Sequence, residues 1–182
     1  GVECDMADIA QVKALFAQLD REFGRIDVLA NVAGPGYLAH PEEIPLEQFE
    51  RIVHALVVAR FCACQEAGRR MLAAGKGSII NIGSLASVSA MGRSHIAYSM
   101  AMGAVAQLTR ELSTEWSARG VRCNAILCGQ VPGKGHYDRA KEDPALWAKW
   151  MNGAAIGRLG VPEDIQGVAL LLASDASSWI TG

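Results

Sequence analysis

Residues 77–112 read GSIINIGSLASVSAMGRSHIAYSMAMGAVAQLTREL, and the rest of the chain is organised around them. An apolar run over residues 78–82 ends in Gly83 and Ser84, and Tyr98 begins a helix of small residues fourteen positions after that serine. Parallel α/β sheets build their sites at the carboxyl ends of the strands, where a serine hydroxyl and a phenol can meet at one substrate oxygen. This stretch therefore predicts an α/β fold and a catalytic site.

Strand-like and helical patterns alternate on both sides of this stretch. The predicted strands are residues 2–4, 26–32, 77–82 and 121–127. The first predicted helix starts at a capping box over residues 8–11 and ends at Gly24, and the others cover residues 45–74, 95–118 and 162–173. Strict alternation predicts a parallel sheet with helices on both faces, and continuous apolar strands are typical of a sheet buried on both sides. We predict one three-layer α/β/α domain over residues 1–182.

Residues 130–160 interrupt the alternation. They are rich in Gly, Pro and Trp, and only residues 144–151 have a helical pattern. A segment of this length between regular elements is more often a lid or a binding loop than a plain connection. We therefore predict a lid or a binding loop here, and refer to residues 130–160 as the lid.

Composition excludes several classes of protein. The 182 residues are 51% hydrophobic and 20% charged with a net charge of −2, which is typical of a globular domain and indicates no nucleic-acid partner. The five cysteines form no CxxC pair and no zinc spacing, so we expect no metal site and interpret them as reduced thiols of a cytoplasmic protein. No segment has the pattern of a signal peptide or a membrane span.

A series of short motifs resembles the short-chain dehydrogenase/reductase family. In order they are DMAD (5–8), GRID (24–27), NVAG (31–34), GSIINIGS (77–84), Tyr98, VRCN (121–124), GRLGVPE (157–163), LASD (172–175) and TG (181–182). The resemblance covers essentially the whole chain and implies a Rossmann-type, doubly wound sheet that binds NAD or NADP. It also implies hydride transfer between the nicotinamide and a small alcohol or ketone.

The same resemblance implies which residues meet the cofactor. They are Asp5, Met6, Asn31, Ala33, Gly34, Tyr98, Gly129 and Val131. A helix-capping role is the alternative for Asp5. By this alignment the chain begins about two βα units late and stops before the last strand, so we expect an incomplete Rossmann domain from a longer protein. The residue that selects NAD or NADP lies at the end of the second strand, outside this alignment.

The catalytic motif departs from the family pattern at two positions. The resemblance gives Ser84 the role of orienting the substrate oxygen and Tyr98 the role of acid and base. An unperturbed tyrosine has a pKa of about 10, too high for a good base at neutral pH. In the family a lysine four positions later lowers this pKa and an asparagine on the preceding helix completes a water relay; here those positions hold Met102 and Leu56. The lysine spacing of enoyl reductases, six or seven after the tyrosine, is absent too.

Several other residues have alternative interpretations. Arg93 or His95 could supply the missing positive charge, although a solvated surface position is favoured for both. Cys128 is either a reactive thiol or, as the favoured interpretation, a small apolar filler. Trp147, Trp150 and Met151 fit a substrate pocket and a packed lid equally well.

Two functional hypotheses follow. The first is an NAD(P)-dependent oxidoreductase whose activity is slow or shifted to high pH, because nothing identified in the sequence lowers the tyrosine pKa. The second is a catalytically silent member that binds a dinucleotide or assembles with partners. By resemblance, the helices over residues 45–74 and 95–118 pair subunits into a homodimer or homotetramer, with Phe61, Cys62, Ala63, Ala104 and Leu108 as the apolar and small surface.

Overall fold

Three parallel strands form the sheet of the computed structural model, which describes residues 1–32 and 34–182. The strands are β1 (Val28–Asn31), β2 (Gly77–Ser84) and β3 (Val121–Cys128), in the order β1-β2-β3. Asn31 pairs with Asn81, and Ser84 pairs with Cys128. All three strands therefore end at the same edge of the sheet, which confirms the predicted parallel arrangement.

Helices cover both faces of this sheet. They are α1 (Ile9–Phe23), α2 (Leu46–Val53), α3 (Ala59–Ala74), α4 (Ile96–Trp116), α5 (Lys134–Glu142), α6 (Pro144–Asn152) and α7 (Glu163–Ala173). Ile79 of β2 packs with Phe16 of α1 on one face, whereas its neighbour Ile80 packs with Leu172 of α7 on the other. Alternate strand residues thus face opposite layers, as the three-layer prediction requires. Among the described residues, no helix is both long enough and apolar enough to cross a bilayer.

The N-terminus of α1 forms as predicted, with a different side-chain bond. Asp8 Oδ1 accepts from the backbone N–H groups of Ala10 at 2.8 Å and Gln11 at 3.2 Å, so it caps the helix. Gln11 Nε2 donates to Asp8 Oδ2 at 3.0 Å, and its Oε1 accepts from Asp5 N at 2.9 Å. The Gln11 side chain therefore bonds the side chain of the cap residue Asp8 and the backbone of the preceding loop.

The helix predicted over residues 45–74 is interrupted by one π-helical turn. Between α2 and α3, residues His54–Val58 follow the wider i→i+5 pattern, and Leu56 lies in this turn. His54 Nε2 donates to Ala7 O at 2.9 Å, which fixes the start of the turn against the segment before α1. Such single turns occur frequently at functional sites.

Two other predicted elements differ from the structure. Residues 2–4 form no strand and Val2 is exposed, because a strand needs a hydrogen-bonded neighbour and the described residues pair none with this segment. The predicted lid is more helical than expected, since α5 precedes α6. Gly135 within α5 lowers the helix propensity there, and tertiary packing overrides that preference.

The two helices predicted to pair subunits expose part of the expected surface. Cys62 and Ala63 are 7% and 0% exposed and belong to the core around Ile79, so they face the sheet. The large apolar residues that these helices expose are Leu46, Val58, Phe61, Ile96 and Met100, and Phe61 belongs to the predicted surface. The homodimer or homotetramer stays a prediction.

Candidate active site

A cleft of about 730 Å³ lies at the edge of the sheet where the three strands end. Its walls are the loops that follow β1, β2 and β3, the start of α4 and one side of α6. The residues that the sequence predicts for the site and that line this cleft are Ser84, Tyr98, Gly34, Gly129 and Val131. The fold therefore brings together most of the predicted residues, from four separate segments.

Ser84 is the last residue of β2 and caps the short 3₁₀ turn over Leu85–Ser87. Its Oγ accepts a hydrogen bond of 3.1 Å from the backbone N–H of Ala86. A hydroxyl oxygen that accepts in this way can still donate its own hydrogen. The strand end thus holds the hydroxyl in a fixed position at the cleft.

Tyr98 lies in the first turn of α4 and is half-buried. Its ring lies against that of His95, with the two centroids 5.5 Å apart, and a 2.9 Å hydrogen bond joins His95 Nδ1 to Ser99 Oγ. Burial, and secondarily the charge of Arg93, lower the pKa of His95 below its usual value near 6.5. The imidazole beside the phenol is therefore neutral at pH 7.

Hydrocarbon fills the space beneath Tyr98. Met102 and Leu56 are 2% and 1% exposed, and both belong to one apolar cluster against which Tyr98 packs. A Cβ placed on Gly34 would lie 2.0 Å from Leu56 Cδ2, so this leucine reaches the underside of the loop that follows β1. The two positions that depart from the family pattern are thus packed into the same buried cluster.

This packing gives a testable expectation for Gly34. Gly34→Ala should lower the free energy of unfolding by about 1–3 kcal/mol, because the new methyl group overlaps Leu56. Gly36→Ala is the matched control and should change it by less than about 0.5 kcal/mol, since nothing lies within 4 Å of its Cβ position. Urea denaturation measures both. Adding Leu56→Ala should remove most of the Gly34→Ala penalty in a double-mutant cycle, and equal costs for the two glycines would contradict the account.

Three other predicted cofactor residues, Asp5, Met6 and Asn31, do not line the cleft. Asn31 is buried and its side chain points into the interior. Asp5 is exposed, and its Oδ1 accepts from Ala7 N at 2.9 Å in a local turn before α1, whose cap residue is Asp8 and not Asp5. Met6 packs against the core beside α1. Ala33 lies outside the described residues. Cofactor contact for these four residues stays a prediction.

A buried chain of polar side chains, not anticipated from the sequence, links β1, β2 and α4. Asn31 Nδ2 donates to Asn81 Oδ1 at 2.9 Å, and Asn81 Nδ2 donates to Thr109 Oγ1 at 3.0 Å. Thr109 Oγ1 in turn donates to Val105 O at 2.9 Å. Satisfied buried networks hold one arrangement of their elements, so this one fixes α4, and with it Tyr98, relative to the sheet. The sequence feature that could have indicated this network is an asparagine in each of two neighbouring apolar strands, Asn31 and Asn81.

Charged and aromatic side chains from two segments form the outer wall of the cleft. Arg93 and His95 both line it, which differs from the solvated positions favoured by the sequence. The guanidinium carbon of Arg93 lies 5.8 Å from the ring centroid of Trp150, and burial lowers the pKa of Arg93. Trp147 packs edge-on against Tyr137 within the lid.

The other open interpretations divide in the same way. Of the three lid residues, Trp150 lines the cleft, whereas Trp147 and Met151 fit the packed-lid interpretation. Cys128 lines the cleft as well, but burial raises the pKa of its thiol. Because the thiolate is the nucleophilic form, a raised pKa favours the apolar-filler interpretation.

One charged residue near the site was missed at the sequence level. Arg60 of α3 is 5% exposed, and its Nη1 donates to Ile82 O of β2 at 2.7 Å. The sequence marks Arg60 as the one lysine or arginine between residues 52 and 64, four positions after Leu56, but does not show whether its side chain is buried. Residues four apart lie on the same face of a helix, so Arg60 lies on the same face as Leu56, which occupies the family's asparagine position.

Comparison with known proteins agrees with this geometry. A family described as enoyl-(acyl carrier protein) reductase matches residues 1–182. D-threitol dehydrogenase from Mycolicibacterium smegmatis is 37% identical over 185 residues, covering 100% of this chain and 69% of that protein. A Xanthobacter autotrophicus protein described as an inactive 2-(S)-hydroxypropyl-CoM dehydrogenase 2 is 34% identical over 188 residues, covering 100% of this chain and 80% of the relative.

Solved structures extend the comparison to the fold. A crystal structure of a proposed NAD(P)-dependent gluconate 5-dehydrogenase from Beutenbergia cavernae, with NADP bound at low occupancy, superposes with a TM-score of 0.92. It is 34% identical, and the match covers 99% of this chain and 71% of that one. The fold, the site and the sequence relationships together show that the chain belongs to the short-chain dehydrogenase/reductase family.

Proposed function

We propose that this chain forms the catalytic portion of an NAD- or NADP-dependent dehydrogenase that interconverts a small alcohol and its ketone. One observation carries the proposal: the Ser84 hydroxyl and the Tyr98 phenol line the same cleft at the carboxyl ends of parallel strands. Ligands of open α/β sheets bind at this edge. The activities named for the family relatives are of the same kind.

The residues around the cleft fit the nicotinamide half of the cofactor. Gly34 and Gly129 border the cleft without side chains, and the backbone of Val131 lies beside them. A Cβ on Gly34 would collide with Leu56, so only glycine keeps the loop after β1 this close to the helix. A bound nicotinamide supplies the carbon that gives or accepts the hydride.

The chain's own residues account for the proton. Tyr98 passes a proton to the substrate oxygen during reduction and takes it back during oxidation. Ser84 donates a hydrogen bond to the same oxygen and holds the reacting carbon in one orientation. Both side chains begin from fixed positions, one at a strand end and one in the first turn of a helix.

The outer wall favours a substrate with several hydroxyl groups. Among the described residues, Arg93 Nε and Trp150 Nε1 are buried without a hydrogen-bond partner. Asp143 and Lys149 also line this side of the cleft. Buried donors without partners cost free energy unless a ligand satisfies them. We therefore propose a small polyol, the class to which the threitol, galactitol and glycerol named for three relatives belong.

An assay with NAD and NADP over a panel of small polyols and simple alcohols tests this function. Reduced-nicotinamide absorbance should rise with polyols and much less with monohydric alcohols. Trp150→Phe should raise KM for the best polyol about tenfold, since it removes one buried donor worth about 1.4 kcal/mol. Trp147→Phe, in the packed lid, is the matched control and should leave KM unchanged. Equal activity on monohydric alcohols would contradict the polyol assignment.

The second candidate is a catalytically silent family member. The buried cluster around Met102 and Leu56 favours it, because neither side chain supplies a charge or a relay donor. One relative is itself described as inactive. Binding of NADH or NADPH, followed by fluorescence, without turnover on any alcohol or ketone of the panel would support this candidate over the first.

A further inference from the structure

Arg93 has an unusual environment for a half-buried arginine. Its guanidinium carbon lies 5.8 Å from the ring centroid of Trp150, and it takes part in none of the ion pairs between described residues. Its Nε is buried and has no hydrogen-bond partner among those residues. A buried donor without an acceptor costs free energy, so the position requires an account of what this guanidinium binds.

The backbone holds Arg93 in the wall of the cleft. Gly92 and Ser94, on either side of it, both adopt the left-handed conformation, with φ 59° and 53°. This conformation is uncommon for a serine and costs free energy, and a 2.7 Å hydrogen bond from Ala39 N to Ser94 O holds it. The loop before α4 is therefore fastened to the loop that follows β1. Arg93 thus lines the cleft from a fixed backbone position.

α6 supplies a second unsatisfied donor to the same wall. Trp150 is 9% exposed, and its Nε1 has no hydrogen-bond partner among the described residues. Lys149 precedes it on α6, is exposed and also lines the cleft. A ligand that brings oxygen acceptors to this wall would therefore meet donors from two separate segments, α6 and the loop before α4.

The charges of this wall favour an anion. In the described part of the cleft lining, Arg93 and Lys149 are the cations and Asp143 is the carboxylate, which leaves one net positive charge. His95 adds none at pH 7, because its pKa is lowered. Asp143 Oδ1 accepts from two backbone N–H groups at the start of α6, at 3.0 and 3.1 Å, so its negative charge is directed to that helix end.

We propose that Arg93 binds a carboxylate at one end of the substrate, with Lys149 as a second cation, so that the polyol is a polyhydroxy acid. A carboxylate held side-on by a guanidinium accepts from Nε and from one Nη, and it thus supplies the acceptor that Nε lacks. Its single negative charge matches the net charge of the wall. A phosphate ester, with about −1.5 to −2 charges at pH 7, would exceed it. This inference deepens the proposed function and rests on it.

Matched pairs of substrates test the carboxylate. D-threonate differs from D-threitol, and D-gluconate from D-glucitol, only by a carboxylate in place of one terminal hydroxymethyl group. With the full chain and whichever of NAD and NADP it uses, kcat/KM for the acid should exceed that for the polyol by about tenfold or more in at least one pair, because hydrogen bonds to charged groups are the stronger ones. No preference for the acid in either pair would overturn the proposal.

Substitutions assign this preference to its residue. Arg93→Gln keeps an amide donor and removes the charge, so the ratio of the acid and polyol kcat/KM values should fall by about tenfold or more. Arg93→Lys keeps a charge without the planar fork, so the ratio should fall by about threefold. Arg119→Gln removes the same charge from the exposed turn before β3, at the opposite edge of the sheet, and should leave the ratio unchanged.

Three results of these substitutions would overturn the proposal. They are an unchanged ratio in a folded Arg93→Gln protein, an equal fall in Arg119→Gln, and a rise in the Kd for NADH or NADPH of about tenfold or more in Arg93→Gln. The last result would show that the arginine binds phosphates of the cofactor. If Arg93→Gln does not fold, Arg93→Lys decides by the same measurements.

Binding without turnover separates this proposal from the proposed function. Calorimetric titration of each acid and each polyol into the protein with NADH measures Kd in a mixture that cannot oxidise them. Tighter binding of the acid that is lost in Arg93→Gln, without turnover of any substrate in the assay, would support the carboxylate site and reject the dehydrogenase. Turnover of acid and polyol with equal kcat/KM and equal Kd would do the reverse.

Discussion

Tyr98→Phe is expected to lower kcat for polyol oxidation by about 10³-fold, because positioned acid–base groups contribute factors of this size. The phenyl ring keeps the packing of Tyr98 against His95 and the buried cluster. Only the hydroxyl that carries the proton is lost. The Kd for NADH or NADPH should therefore stay within about threefold of the wild-type value, which corresponds to about 0.6 kcal/mol of binding free energy.

Tyr137→Phe is the matched control for this substitution. Tyr137 lies in the lid, where its ring centroid is 5.4 Å from that of Trp147. Its hydroxyl has no place in the proposed proton path, so kcat should not change. A Tyr98→Phe enzyme with near-wild-type turnover would contradict the role of Tyr98, and comparable losses in both variants would indicate a general effect on the lid.

The parts of the fold that local sequence determines were predictable. The apolar run that became β2 needs no distant partner to be recognised, and the helices α1 and α3 end where glycines accept the left-handed conformation, Gly24 at φ 67° and Gly75 at φ 68°. Ser84 and Tyr98 follow from these elements, because a strand end and the next helix start meet at one edge of a parallel sheet.

The parts that depend on distant contacts were not predictable in the same way. A single arginine in an apolar helix has no local pattern that tells burial from exposure, and only the bond from Arg60 to Ile82 O shows which way it turns. The strand predicted at residues 2–4 failed for the related reason that a strand is defined by its neighbours. α5 formed although Gly135 within it opposes helix formation.

Tertiary contacts also change the meaning of the two replaced positions. In the sequence, Met102 and Leu56 are separate losses of a charge and of an amide. In the structure both belong to one buried cluster, against which Tyr98 packs, and Leu56 also lies against Gly34. The two replacements therefore stabilise the fold together. A lysine at position 102 alone, or an asparagine at position 56 alone, would be buried among apolar side chains.

This dependence predicts a large and non-additive effect on stability. Met102→Lys alone should lower the free energy of unfolding by about 3 kcal/mol or more, since it buries an ammonium in the cluster that contains Ile52, Ala101 and Val105. Adding Leu56→Asn should recover at least about 1 kcal/mol relative to the sum of the single costs, because the amide gives the ammonium a partner. Urea denaturation at pH 7 measures the cycle.

The control combines Met102→Lys with Leu112→Asn. Leu112 is also a buried leucine, but it belongs to the cluster around Phe16 and Ile79. Those two costs should add within about 0.5 kcal/mol, because the side chains share no cluster. If Leu56→Asn and Leu112→Asn show the same coupling energy with Met102→Lys, then positions 56 and 102 do not depend on each other. The joint replacement of the lysine and the asparagine would then have no physical basis.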